Sequence, residues 1–259
     1  MSPPLVVVHR DAALLAKAVA ARLVTALVDA QAARGQASVV LTGGGIGIAT
    51  LRELAASPAR DAIDWSELDV WWGDERFLPA GHAERNETQA REALLDSVDL
   101  DPQRVHPMAP SDGKVGDDVD AAAASYADQL AKSARPEDHG PVPSFDVLLL
   151  GVGPEGHIAS LFPGAPALYD DRIVIPVRGA PKPPPTRLSL STAAINAAHE
   201  VWLVAAGEEK AAAVRLALSG AGPAAVPAAG VHGRARTLWL LDRAAASRVP
   251  ASLSRIASP

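Results

Sequence analysis

The sequence predicts an α/β protein built on a mostly parallel sheet with helices on both faces, and three observations carry that reading. Short apolar runs of strand length alternate with longer segments whose apolar residues recur at helical spacing. One run, Val147 to Leu150, is apolar at every position, as a strand buried on both faces must be. Three runs end in turns rich in glycine or charge, at Gly43-Gly44-Gly45, Gly73-Asp74-Glu75-Arg76 and Gly151 to Gly156. In open α/β sheets, ligands bind in the crevice beyond the carboxyl ends of the strands, where such turns sit.

Taken in order, Leu5–Val8 is a strand, and Asp11 is placed to cap the helix that follows. Leu15, Val19, Leu23 and Leu27 form the apolar face of that helix, and Gly35 stops it. Ser38–Thr42 is the second strand. The glycines from Gly43 to Gly47 then open a helix carrying Leu51 and Leu54. Leu68–Trp72 is the third strand, and a polar segment beginning at Asn86 leads into a helix over Thr88–Leu95. Residues 96–118, rich in Asp, Pro and Gly, read as a long excursion, followed by a helix over Ala121–Ser133 and a connection over 134–144. Strands are expected at 146–150, Ile173–Val177, Val201–Ala205 and Thr237–Leu241, with a helix over Glu208–Leu218. The prolines between Pro181 and Arg187 stiffen that segment, and 219–230 reads as a surface loop. No repeat or convincing linker interrupts the pattern, so a single domain over 1–259 is expected.

Composition narrows the chemistry. The net charge of −6 argues against a general nucleic-acid binder but leaves room for an anionic small molecule held by a local cluster of cations. The chain has no cysteine, which eliminates disulfides, thiolate metal sites and a Cys nucleophile. It shows neither a signal peptide nor an apolar stretch long enough to span a bilayer, so a cytoplasmic protein with no membrane partner is expected, and a monomer.

The turns then suggest particular groups. Gly43, Gly44 and Gly45 join a strand to a helix, where open backbone N–H groups and the helix dipole suit a phosphate; a plain tight turn is the competing reading. Gly151 to Gly156 formally matches G-x-G-x-x-G, with Asp170 and Asp171 about twenty residues on. A dinucleotide reading fails on two counts: those acids precede the next strand, and Pro163 leaves only a short helix after the loop. Inside that loop His157 suits a general base acting on water, and Glu155 could orient it or hold its proton. Asp74, Glu75 and Arg76 follow another strand, and Arg76 could clamp an anion; ordinary exposed charge is the alternative. Arg187 and Lys210 supply cations from separate regions. The helical His-x-x-x-His pair and the G-x-S-x-G elbow are both missing, so metal-free, non-covalent hydrolysis fits what remains.

These blocks are specific enough for a resemblance. GVGPEGHIASLFPG at 151–164, WWGDERFLP at 71–79, APKPPPTRLSL at 180–190 and TGGG at 42–45 resemble the lactonase branch of the glucosamine-6-phosphate isomerase/6-phosphogluconolactonase family, in the expected order and across nearly the whole chain. The resemblance implies a Rossmann-like fold shared with glucosamine-6-phosphate deaminase and ribose-5-phosphate isomerase. It implies hydrolysis of 6-phospho-D-glucono-1,5-lactone to 6-phosphogluconate in the oxidative pentose phosphate pathway, with no metal, nucleotide or other cofactor. Residue by residue it makes His157 the base that activates water and Asp74 the acid that positions sugar hydroxyls or the water. Gly43, Gly44, Gly45, Arg76, Arg187 and Lys210 would form the site for the phosphate and the developing carboxylate. Two departures stand out: Glu155 replaces the family's usual Asp, and Gly45-Ile46-Gly47 follows where Ser or Thr and then Pro is usual. A sugar-phosphate deaminase or isomerase, and a non-catalytic sugar-phosphate binding protein, are the alternatives.

Overall fold

The structure is a computed structural model that describes residues 3–138 and 140–257; Met1, Ser2, His139, Ser258 and Pro259 lie outside the described residues. Strand β1 (Leu5–His9) leads into helix α1 (Ala12–Arg34), where the Asp11 carboxylate accepts the Leu14 N–H at 2.8 Å and so caps the first turn. At the other end Gly35, with φ of 77°, returns its N–H to the Gln31 carbonyl. There follow β2 (Ala37–Leu41), α2 (Gly44–Ala56), β3 (Leu68–Trp72), β4 (Asp74–Arg76), α3 (Asn86–Ala93), α4 (Val119–Ser133) and β5 (Val147–Gly151). The chain continues through β6 (Val174–Val177), β7 (Arg187–Leu190), α5 (Thr192–Ile195), β8 (Glu200–Ala205), α6 (Ala211–Leu218), β9 (Arg236–Asp242) and β10 (Ser254–Ile256).

Seven of these strands form a parallel sheet in the order β10-β1-β9-β8-β5-β2-β3. Strand β5 shows why the sheet takes helices on both faces. Val147 and Leu149 pack into one core with Leu15, Leu23 and Leu51, while Leu148 and Leu150 point to the other with Tyr126, Phe145 and Val214. Strands β2 and β5 are neighbours, yet β2 is followed outward by β3 and β5 by β8 on the opposite side. A crevice opens at such a point of divergence, and the turns singled out above sit at its rim. No helix among the described residues is long and apolar enough to cross a membrane.

The sequence reading lacked β7, α5 and β10 and began α6 at Glu208, where a 3-10 turn stands, and three further differences bear on the site. Asp74–Arg76, read as a turn, is a strand in a second, antiparallel sheet ordered β4-β7-β6, which lies against α4. Charged residues do not signal a buried strand, yet Asp74 and Glu75 are buried because each meets hydrogen-bond donors from elsewhere in the chain. Helix α3 starts at Asn86 rather than Thr88 and gives way at Leu95 to a 3-10 turn. Its early start has a distant cause, the Glu75 carboxylate, which accepts the Asn86 and Glu87 N–H groups at 2.7 and 2.9 Å. Finally, 219–230 is not simply a surface loop. Val226, Pro227 and Ala228 are buried, and the Ala228 N–H donates to the Gly156 carbonyl at 3.0 Å, so this segment buttresses the His157 loop.

Candidate active site

The triple-glycine turn leaves β2 at the crevice. Thr42 Oγ1 accepts the Gly151 N–H at 3.2 Å and so ties this turn to the loop after β5. Gly43 is the N-cap of α2 with no side chain to satisfy the first-turn N–H groups, and Gly44 takes φ of 80°, a conformation side chains resist. Space beside Gly44 and Gly45 is open. An uncapped helix start facing open space is suited to an anion. Gly43 is different: a Cβ there would lie 1.9 Å from Asn86 Oδ1. Asn86 cannot yield cheaply, because its Nδ2 donates to the Asp74 carbonyl at 2.8 Å and its Oδ1 accepts from Arg76 Nη1. Gly43→Ala is therefore expected to cost about 1–3 kcal/mol in stability, the usual penalty of overpacking, and to raise KM; thermal unfolding and steady-state kinetics check both.

Strands β4 and β7 bring two arginines face to face, since Arg76 pairs with Arg187 in the antiparallel register. Like charges so placed repel. Neither guanidinium makes an ion pair within 4.0 Å among the described residues. Neutral oxygens hold them instead. Arg187 donates to the Pro184 and Lys182 carbonyls at 3.0 and 2.8 Å, and Arg76 to the Glu84 carbonyl at 3.1 Å and to Asn86. Burial pulls the Arg187 guanidinium below its ordinary pKa, with Asp74 opposing. Such a pair is a ready receptor for an anion.

Asp74 lines the crevice and is itself buried. It accepts the Ser160 hydroxyl at 2.7 Å and the Asn86 amide at 3.2 Å. Ser160 reaches it because Ala159 takes φ of 46°, the one non-glycine residue at positive φ among the described residues. Strain of this kind concentrates at functional sites.

His157 lies against Gly153, its ring 4.5 Å from that of Phe162. Its Nδ1 is buried and comes within 3.0 Å of Glu155 Oε1, though without the alignment of a good hydrogen bond. Burial holds the imidazole below its ordinary pKa, and the Glu155 charge partly offsets this. Glu155 does not itself line the crevice; its second oxygen accepts from Lys182 Nζ at 3.2 Å. Lys210 stands at the N-cap of α6, its ammonium pulled below the ordinary pKa by burial and 4.0 Å from Glu209 Oε1.

One cleft of about 470 Å³ is lined by Gly43, Gly44, Gly45, Asp74, Arg76, His157, Arg187 and Lys210 together. The structure thus gathers every residue assigned to the site from the sequence except Glu155, which stands behind the imidazole. From the sequence, no site role fell to Asn86, which lines the cleft, or to Ser160, Lys182 and Glu75 behind it. Asn86 left a signal as the start of a polar segment, and Glu75 as a member of the charged cluster after the third strand. Among the described residues no group of three or more His, Asp or Glu side chains gathers as metal ligands would.

Fold and cleft together define a Rossmann-like α/β protein with an anion-receptive site at the diverging strands. Residues 10–239 match the family model described as glucosamine-6-phosphate isomerases/6-phosphogluconolactonase. The chain belongs to that family. It is 67% identical over 251 residues to a 6-phosphogluconolactonase of Streptomyces coelicolor, covering 96% of each chain. It is 54% identical over 241 residues to the 6-phosphogluconolactonase of Mycobacterium tuberculosis, covering 93% of this chain and 96% of the relative. A solved structure of 6-phosphogluconolactonase from Trypanosoma brucei superposes with a TM-score of 0.82 at 30% identity, covering 96% of this chain and 100% of that one.

Proposed function

We propose that this chain hydrolyses 6-phospho-D-glucono-1,5-lactone to 6-phospho-D-gluconate, a step of the oxidative pentose phosphate pathway, using water activated by His157. One observation carries the reading: an imidazole backed by a carboxylate shares its cleft with three cations and an uncapped helix start. The names of the similar enzymes agree with it.

The phosphate binds among the glycine turn, Arg187 and Lys210, so binding energy remote from the reacting carbon sets the lactone for attack. Glu155 beside Nδ1 favours the tautomer with its proton there, which leaves Nε2 to accept one from water. As the water oxygen adds to the lactone carbonyl, the carbonyl oxygen becomes an oxyanion beside Arg76. Asp74, already fixed by Ser160 and Asn86, orients a sugar hydroxyl or the water. The acyl carbon–oxygen bond then breaks, and the departing ring oxygen takes back the proton from His157. Water is thereby added across the ester bond with no other reactant. The same proposal treats the chain as one domain acting as a cytoplasmic monomer.

The direct test follows lactone opening by acid release, with the uncatalysed rate subtracted, alongside ammonia release from glucosamine 6-phosphate. Catalysed opening without ammonia is expected. Ammonia release, or opening at the background rate only, would contradict the reading.

A further inference from the structure

We infer that Glu75, which does not line the cleft, is a positioning residue for the reaction: its buried carboxylate fastens β4 to the start of α3 and so sets Arg76 and Asn86 in place. The inference rests on the lactonase reading for its kinetic consequence, but the fastening is visible without it. Glu75 is 1% exposed. Its Oε1 accepts the Arg76 N–H at 2.8 Å and the Asn86 N–H at 2.7 Å, and its Oε2 accepts the Glu87 N–H at 2.9 Å. One side chain thus joins the backbone of a strand residue to the first two N–H groups of a helix that has no side-chain cap of its own. Both residues it grips at Oε1 face the cleft, and both are engaged with each other, through Arg76 Nη1 and Asn86 Oδ1. Asn86 in turn holds Asp74 and presses on Gly43. Two cleft residues, the acid between them and the glycine turn are therefore registered to one another through a single carboxylate.

The surroundings of Glu75 fit a structural clamp. Arg85, fully buried, places Nη2 3.8 Å from Oε2 while also donating to Glu87 at 3.1 Å and to the Met108 carbonyl at 2.7 Å. Tyr126 of α4 engages the Trp72 backbone nearby, and its phenol is raised by burial and, less strongly, by the Glu75 charge. Burial pushes Glu75 itself up to about 7, against the pull of Arg85 and the three N–H groups. A group kept buried at that cost and out of reach of the substrate serves geometry.

The test is Glu75→Gln, which keeps shape and two acceptor bonds but turns an amide donor toward the Glu87 N–H. With the wild-type enzyme active on the lactone, kcat is expected to fall at least about tenfold, with a smaller rise in KM through Asn86 and the glycine turn, since a misplacement near 1 Å costs up to about 100-fold. A folded variant with wild-type kcat, or one altered only in KM, overturns the inference. Amide hydrogen exchange at Arg76, Asn86 and Glu87 needs no substrate and is expected to accelerate at least about tenfold in the variant. Unchanged exchange overturns the clamp even if the lactone proves not to be the substrate. Should Glu75→Gln fail to fold, Asn86→Ala leaves the carboxylate in place and is expected to show the same fall in kcat; an unchanged kcat there overturns the inference.

Discussion

Replacing His157 by alanine is expected to lower kcat for lactone hydrolysis by about 100-fold or more, the scale on which a positioned general base acts. The proposed chemistry needs a group that is unprotonated near neutrality, within reach of water and held in one tautomer. His157 meets the first condition because burial keeps its pKa below the ordinary 6.5, and the Glu155 charge 3.0 Å from Nδ1 favours the tautomer with its proton there. The sign of the pH dependence follows. Neutral imidazole is the active form, so kcat/KM should fall as the pH drops through a pKa that lies below the ordinary 6.5. Glu155 opposes that depression, so Glu155→Gln should move the acid limb to still lower pH while reducing kcat. Rate profiles of the three proteins check both statements. An alanine variant that is folded by circular dichroism and turns over like the parent would remove His157 from the reaction.

The second large effect concerns Arg76. Arg76→Met is expected to lower kcat by about 100- to 1000-fold, as loss of an oxyanion donor does elsewhere. Stability should move the other way or hold. The methionine removes one of two guanidiniums opposed across β4 and β7 and a buried Nε with no partner among the described residues, which offsets the lost bonds to Asn86 and the Glu84 carbonyl. A residue that strains the folded protein yet serves the transition state gives this opposition between stability and rate. Thermal unfolding of the variant is thus expected at or above the parental midpoint. A destabilised variant with near-parental kcat would mark Arg76 as a structural residue.

The sequence made the central sheet legible because a strand buried on both faces must be apolar at each position, and Val147–Leu150 has that composition at strand length before a glycine-rich break. Asp11 and Gly35 marked the ends of α1 for equally local reasons, a side-chain cap and a left-handed residue. The cleft was legible to the extent that its groups lie at strand ends, as His157, Arg76 and the glycine turn do. What stayed hidden was set by contacts between distant segments. Strand β4 looks like a solvated charge cluster until Arg187 of β7 and the start of α3 are brought against it. Ser160 carries no sign that its hydroxyl meets Asp74, which is 86 positions away. Lys182 reads as surface charge, although it reaches Glu155 through its ammonium and Arg187 through its carbonyl. The burial of Val226 against Gly156 was masked by a segment rich in Gly, Pro and Ala.

A crystal structure with 6-phosphogluconate bound addresses the central claim most directly, because product and transition state share the carbon that water attacks. The expected density places the product carboxylate within about 3.5 Å of His157 Nε2, the reach of a reacting pair, with Arg76 at one carboxylate oxygen and the phosphate at the Gly43–Gly45 turn. A product seated outside this cleft, or seated within it with its carboxylate turned away from His157, would contradict the assignment of the imidazole as the base.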